Sequence, residues 1–192
     1  MGTALYILGG TQDWITHPNR PNFDVTAEMA TAIGALPRKA PWPVTAYPRA
    51  TTDGFDFPVA RPDAAPVNPR GGYYVAAGLA EEGYFDLTGF WHTGEDWNDL
   101  RGGDSDLGAP VYAVANGRVE TSRFYTGSWG SIVLIEHLLP DGRQVWSQYA
   151  HLKERLVTKG DVVRRGQQIG TIGKGGADQY SAHLHFEIRT HR

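Results

Sequence analysis

The chain has 192 residues, a net charge of −3, 24 glycines, 12 prolines and no cysteine. Glycine and proline at this level favour short strands and turns over long helices, the charge gives no electrostatic case for nucleic acid, and without thiols there are no disulfides, so any metal must be held by His, Asp or Glu. No apolar run approaches the roughly 20 residues of a membrane span, and the opening MGTALYILGG lacks the basic start and the length of a secretory signal.

In chain order, DVTAEMATAIGALP predicts one short helix over about residues 25–36, ended by Pro37. Eight of the 12 prolines follow between residues 37 and 69. Proline fixes φ and donates no hydrogen bond, so this stretch is expected to be an extended, irregular strap. Residues 1–54 are therefore expected to be an N-terminal extension that cannot form its own core, and residues 55–192 the main domain. From about Val111 the pattern changes to strands. VYAVANGRVETSRF predicts two short strands around the hairpin signal Asn116-Gly117. GSIVLIEHLL and RQVWSQYAHL predict two more, joined by a turn at PDGR. KGDVVRRGQQIGTIGKGG supplies short, glycine-bounded strands and HLHFEIRTH a final one. The fold class expected is mostly β, built on an antiparallel sheet.

The last strand carries the chemistry. His183 and His185 in SAHLHFEIR stand two residues apart, so their rings share one face, roughly 7 Å apart at the backbone. Leu184, Phe186 and Ile188 point the other way, into a core. Neutral imidazole is the commonest metal ligand among side chains and the group best poised for proton transfer near pH 7. Partners occur upstream: FWHTGEDWN sets His92 four residues before Asp96 with Gly94 between them, and SQYAHL is expected to end a strand at His151. Catalytic zinc takes three protein ligands and leaves a fourth position open. Spacing alone leaves it undecided whether both rings of the His-x-His pair would bind one ion. No His-Glu-x-x-His motif is present, so a glutamate base of that kind is absent and histidine must handle protons. His137, inside VLIEHLL, reads as a satisfied strand histidine.

These elements resemble the M23 peptidases, the lysostaphin and LytM-type zinc endopeptidases that cut peptidoglycan cross-bridges. The resemblance rests on the H-x-x-x-D element at His92 and Asp96, YAHL at His151, HLHFE at residues 183–187, and the core stretches GAPVYAVANGRV and GDVVRRGQQIGTIG. It covers about residues 55–189, with the motifs in the family's order. It implies a LytM/lysostaphin-like antiparallel fold and one Zn²⁺ per chain held by His92, Asp96 and His185. His151 and His183 would then be the catalytic, proton-handling pair. The function implied is hydrolysis of peptide bonds in peptidoglycan stem peptides or cross-bridges through a zinc-activated water. The substrate partner would be peptidoglycan peptide, with no nucleic acid and no membrane span, and the chain a monomer working outside the cell or in the periplasm against the wall.

Two other readings compete. A non-catalytic module of this fold, binding or activating a wall hydrolase, usually lacks ligands that this chain keeps. A glycan-cleaving enzyme would use paired carboxylates and need no zinc, yet nothing pairs Glu95, Asp96 and Glu120. The sequence departs from the family in ADQYSA, where Tyr180 intrudes and Ala182 stands where proline is common, which bears on the substrate groove. The loop NDLRGGDSDLG, with Asp99, Asp104 and Asp106, is expected to be a solvated acidic turn. Trp91, Trp97, Trp129 and Trp146 fall in the catalytic region, and Trp146 and Tyr149 suit core and groove equally.

Overall fold

Strands dominate the described residues because apolar and polar side chains alternate along them, most clearly from about Val111 onward. The computed structural model describes residues 51–60 and 72–192, and the helix and most of the proline-rich strap expected upstream lie outside them. Within the described residues the order is β1 (Tyr73–Ala77), α1 (Glu82–Thr88), β2 (Glu95–Asp99), β3 (Pro110–Tyr112), β4 (Gly117–Tyr125), β5 (Gly130–Leu138), β6 (Gln144–Arg155), β7 (Val162–Val163), β8 (Gln168–Ile172) and β9 (Leu184–Arg189). All nine strands join one sheet, ordered β1-β2-β9-β6-β5-β4-β7, with β8 paired to both β3 and β6. Each of these pairings is antiparallel. No helix among the described residues is long and apolar enough to cross a membrane.

β9 and β6 lie side by side at the centre, Ala150 opposite His185 and Gln148 opposite Glu187. Leu184, Phe186 and Ile188 leave one face of β9 and join Trp97, Val133, Ile135 and Tyr149 in the core. Burying each such apolar side chain stabilises the fold by about 1.5–3 kcal/mol. The opposite face of β9 then presents His185, Glu187 and Arg189 together. Tyr149 belongs to the core: it is fully buried, and its hydroxyl accepts from Val114 N at 2.8 Å. Residues 51–60 are tied to the same domain. Phe55 and Val59 enter the core, Thr52 N donates to Leu138 O at 2.8 Å, and Asp53 and Asp56 lie 3.4 and 3.5 Å from the Arg165 guanidinium.

The PDGR turn joins β5 to β6, with Leu139 N donating to Arg143 O at 2.8 Å. The Asn116-Gly117 hairpin does not form. β3 pairs with β8, whereas β4 pairs with β5 and β7. The dipeptide is selected by burial instead. Asn116 is fully buried and its Oδ1 accepts from Arg165 N at 2.9 Å. A Cβ at Gly117 would stand 2.6 Å from Ile135 Cγ2 and 2.8 Å from His137 Nδ1, so only glycine lets β4 approach. α1 carried no sequence signal because it buries no side chain and so shows no apolar face.

His137 is buried and satisfied, as its strand context suggested. Its Nδ1–H donates to Asn116 O and its Nε2 accepts from Ser147 Oγ, both at 2.7 Å. Burial pushes its pKa down to about 4, against a weaker upward pull from the Asn116 bond. The unfolded chain, with a value near 6.5, therefore takes the proton more readily. Stability is complete above that value and falls as the pH drops toward 4, by about 3 kcal/mol in the limit. Urea unfolding midpoints between pH 7 and pH 4.5 should fall less steeply for His137→Gln than for the parent. Equal slopes would remove His137 from the acid response.

Candidate metal centre

The site forms where β2 meets β9. Asp96 and His185 are directly opposed across the ladder, so both side chains leave the same face. His92 arrives on the segment leading into β2, and Gly94 lets that segment press against β9. A Cβ at Gly94 would stand 2.7 Å from Glu187 Cγ and nearer still to Phe186 O. His92 Nε2 lies 3.1 Å from Asp96 Oδ1 and 3.1 Å from His185 Nδ1, and His185 Nδ1 lies 2.9 Å from Asp96 Oδ1. These three form the metal-competent group among the described residues.

Their outer hydrogen bonds determine what the group can hold. His92 Nδ1–H donates to Gly78 O at 3.1 Å, and His185 Nε2–H donates to Glu187 Oε1 at 2.9 Å. In the neutral rings, the inward nitrogens are then both lone-pair donors, aimed at each other and at a carboxylate oxygen. Two imidazole lone pairs and an anion converging this closely repel unless a cation lies among them. Two nitrogens and one oxygen are also ordinary zinc donors, so the residues fit the ion. The electrostatics agree. Where protons take a cation's place between the rings and the carboxylate, burial still opposes charge on Asp96, but hydrogen bonds from His185 and His92 hold it well below the carboxylate range. Burial likewise opposes charge on His185, but Asp96 and Glu187 outweigh it and lift the pKa to about 9. The pocket demands positive charge.

His151 and His183 face the same cluster from the other side. β6 carries one extra residue against β5 between Tyr149 and Leu152, and His151 sits in that bulge at φ 61°. Left-handed backbone is strained for a residue of this kind. It is held by two bonds to Trp129 O, from His151 N at 3.1 Å and from Nδ1–H at 3.2 Å, which leave Nε2 on the site side. Burial, then the neighbouring His183 and His185, push the His151 pKa down to about 3, keeping the ring uncharged. His183 Nδ1–H donates to Ser181 O at 2.8 Å, its Nε2 lies 3.7 Å from Asp96 Oδ1, and its ring is 4.8 Å from that of His151. All five residues singled out in the sequence therefore meet at one place.

The acidic loop is a solvated turn only in part: residues 100–105 are exposed, as expected, but Asp99 and Asp106 are buried. Asp106 is fully buried and accepts from Asp99 N at 3.1 Å. Asp99 is clamped by Arg101 at 2.6 Å, and Asp104 accepts from Lys174 Nζ at 2.7 Å and Ala182 N at 2.8 Å. Its carboxylates pin the loop and the approach to His183, because the entry to β9 needs a partner for Ala182 N. Three aromatic rings wall the site. Tyr84 of α1 lies 4.6 Å from the His92 ring, Trp129 5.3 Å from His185, and Tyr180 5.1 Å from His151. Trp97, by contrast, is core.

Glu187 is the residue that sequence reasoning passed over. It is buried, accepts from His185 Nε2 and receives a second bond from Thr93 Oγ1 at 2.8 Å. The signal was present as a third polar residue in the His-x-His-x-Glu alternation. A carboxylate on the outer nitrogen of a ligand histidine fixes its tautomer and ring orientation. Glu187→Ala should therefore weaken zinc binding by roughly 10–100-fold, read by competition with a chromophoric chelator, with Glu187→Gln closer to the parent. Unchanged affinity in the alanine variant would limit Glu187 to packing.

The family model described as peptidase family M23 matches residues 92–192, more than half of the chain. "Lipoprotein NlpD" of Yersinia enterocolitica is 38% identical over 82 residues, covering 43% of this chain and 78% of that protein. "Peptidoglycan DD-endopeptidase ShyB" of Vibrio cholerae is 39% identical over 83 residues, covering 43% of this chain but 18% of that protein. Among solved structures, a zinc-containing peptidase from Vibrio cholerae aligns with a TM-score of 0.53 at 29% identity, over 70% of this chain and 36% of that one.

Proposed function

This chain belongs to peptidase family M23, and from that premise we propose that it is a zinc-dependent endopeptidase hydrolysing peptide bonds in peptidoglycan. The observation that carries the reading is the convergence of His92 Nε2, Asp96 Oδ1 and His185 Nδ1 within hydrogen-bond distance of one another, with two further imidazoles alongside. The name of the ShyB relative supports the substrate class, although this chain spans less than a fifth of that protein.

In this reading His92, Asp96 and His185 hold one Zn²⁺. When bound, the ion would supply Lewis acidity to the scissile carbonyl and lower the pKa of water toward neutrality. The remaining work falls to the chain's own groups. His151, kept neutral by burial, has the free Nε2 needed to accept a proton from the attacking water. His183, with Nε2 toward the ligand cluster, is placed to stabilise the oxyanion or pass a proton to the departing amine. Tyr84, Trp129 and Tyr180 stand against the His92, His185 and His151 rings and make their surroundings less polar. Because its substrate is the wall, the protein is proposed to work outside the cytoplasm.

Digesting isolated peptidoglycan and assaying the new ends tests the reaction class. New free amino groups at a rate abolished by a chelator are expected. New reducing sugar ends would point to glycosidase chemistry, and no new ends from zinc-loaded protein would favour a binding module.

A further inference from the structure

Beside the metal centre a groove of about 510 Å³ runs over the open face of the sheet. Thr93, Trp129 and Glu187 line its end at the ligand cluster, Ile132 and Leu134 its apolar floor, and Arg189 and Arg192 its far end. Its size is that of a site for a small ligand or a few peptide residues. Arg189 follows His185 and Glu187 on the same face of β9.

The guanidinium of Arg189 is fixed but only partly used. Nη1 donates to Oε1 of buried Gln148 at 2.9 Å, and Nε stands 3.8 Å from Glu187 Oε2. Glu187 spends its other oxygen on His185 and Thr93. Nη2 of Arg189 has no hydrogen-bond partner among the described residues. A planar donor fork held by a buried amide and left with open donors on a groove wall suits a carboxylate. Arg192 adds a second positive charge to the same end; its guanidinium is largely exposed and stands 3.8 Å from Glu120, too far for a hydrogen bond. Four residue steps along the strand take His185 to Arg189, roughly 13 Å along the backbone. An extended peptide reaching from the metal centre to Arg189 therefore spans a few residues.

We propose that Arg189 is a specificity-determining residue that binds a free carboxylate of the substrate peptide, a few residues from the bond that is cut. The proposal rests on the peptidase reading above and names which peptides the groove prefers. Stem peptides whose carboxylates are free should be favoured over the same peptides with those groups amidated.

The test compares two cross-linked peptides that differ only in amidation, using the zinc-loaded full chain. A charge-assisted hydrogen bond predicts a kcat/KM preference of roughly 10–100-fold for the free carboxylate. Arg189→Gln should erase most of that preference, raising KM for the free peptide by far more than for the amidated one. Arg189→Lys should keep part of it, since charge without the fork is the weaker partner. Zinc content and thermal unfolding of the variants are measured alongside. A parent that cleaves both peptides equally overturns the proposal and leaves the peptidase reading intact, and it does so even if the variants fail to fold. An equal loss on both peptides in Arg189→Gln overturns it as well. Zinc-loaded parent that cleaves neither peptide sinks the peptidase reading instead.

Discussion

Replacing His185 by Ala should empty the proposed metal centre and end turnover together. Zinc measured by elemental analysis should fall from close to one ion per chain to a small fraction, while His183→Ala keeps it. The asymmetry follows from geometry. His185 Nδ1 lies 2.9 Å from Asp96 Oδ1 and 3.1 Å from His92 Nε2, whereas His183 Nε2 stands back at 3.7 Å from that oxygen. Removing His185 takes away one of three donors and also leaves the buried Glu187 carboxylate without its main partner. His92→Ala and Asp96→Ala should behave alike, because two donors rarely suffice for a catalytic zinc. Activity should drop by more than the loss of any single proton-transfer group, about 10⁴-fold or beyond. A His185→Ala protein that keeps its zinc while His183→Ala loses it would reverse the roles of the pair.

The second large effect separates chemistry from binding. Variants at His151 and His183 should fold and hold zinc, yet lose about 10²–10⁴-fold in kcat, the range for a positioned acid or base. At His151 the informative substitution is Asn, because the backbone there is left-handed at φ 61° and Asn tolerates that region. At His183, Ala suffices. Each variant is loaded with zinc, its metal content is confirmed, and amine release from cross-linked wall is followed. If both cut at the parent rate, their shared face is structural and the catalytic assignment is wrong.

Much of the fold was legible because alternation is local information. β5, β6 and β9 follow directly from runs such as GSIVLIEHLL and HLHFEIRTH. Of the five site positions, the H-x-H alternation marked only the shared face of His183 and His185, whereas His92, Asp96 and His151 stood out by motif spacing and the division into ligands and proton-handling groups came from the resemblance to the M23 peptidases. What failed was long-range. Asn116-Gly117 carries a strong turn signal, but strand pairing of β3 with β8 and of β4 with β5 outweighs it. Asp99 and Asp106 looked solvent-facing because no single sequence shows that Arg101 and Asp99 N would bury and occupy them. α1 places Tyr84 on His92 although the helix itself buries nothing, so no periodicity could have marked it. Glu187 was visible as the next step of the alternation, but its role depends on the tautomer of His185, which only the fold determines.

The most direct test of the account is a zinc titration of chelator-stripped protein, with amine release from peptidoglycan as the readout. The account predicts no measurable cleavage from the stripped chain and full recovery at one equivalent of zinc. The parallel titration of His92→Ala should give no recovery. Stripped protein that cleaves as fast as untreated protein, or His92→Ala that recovers with the parent's stoichiometry, would contradict it.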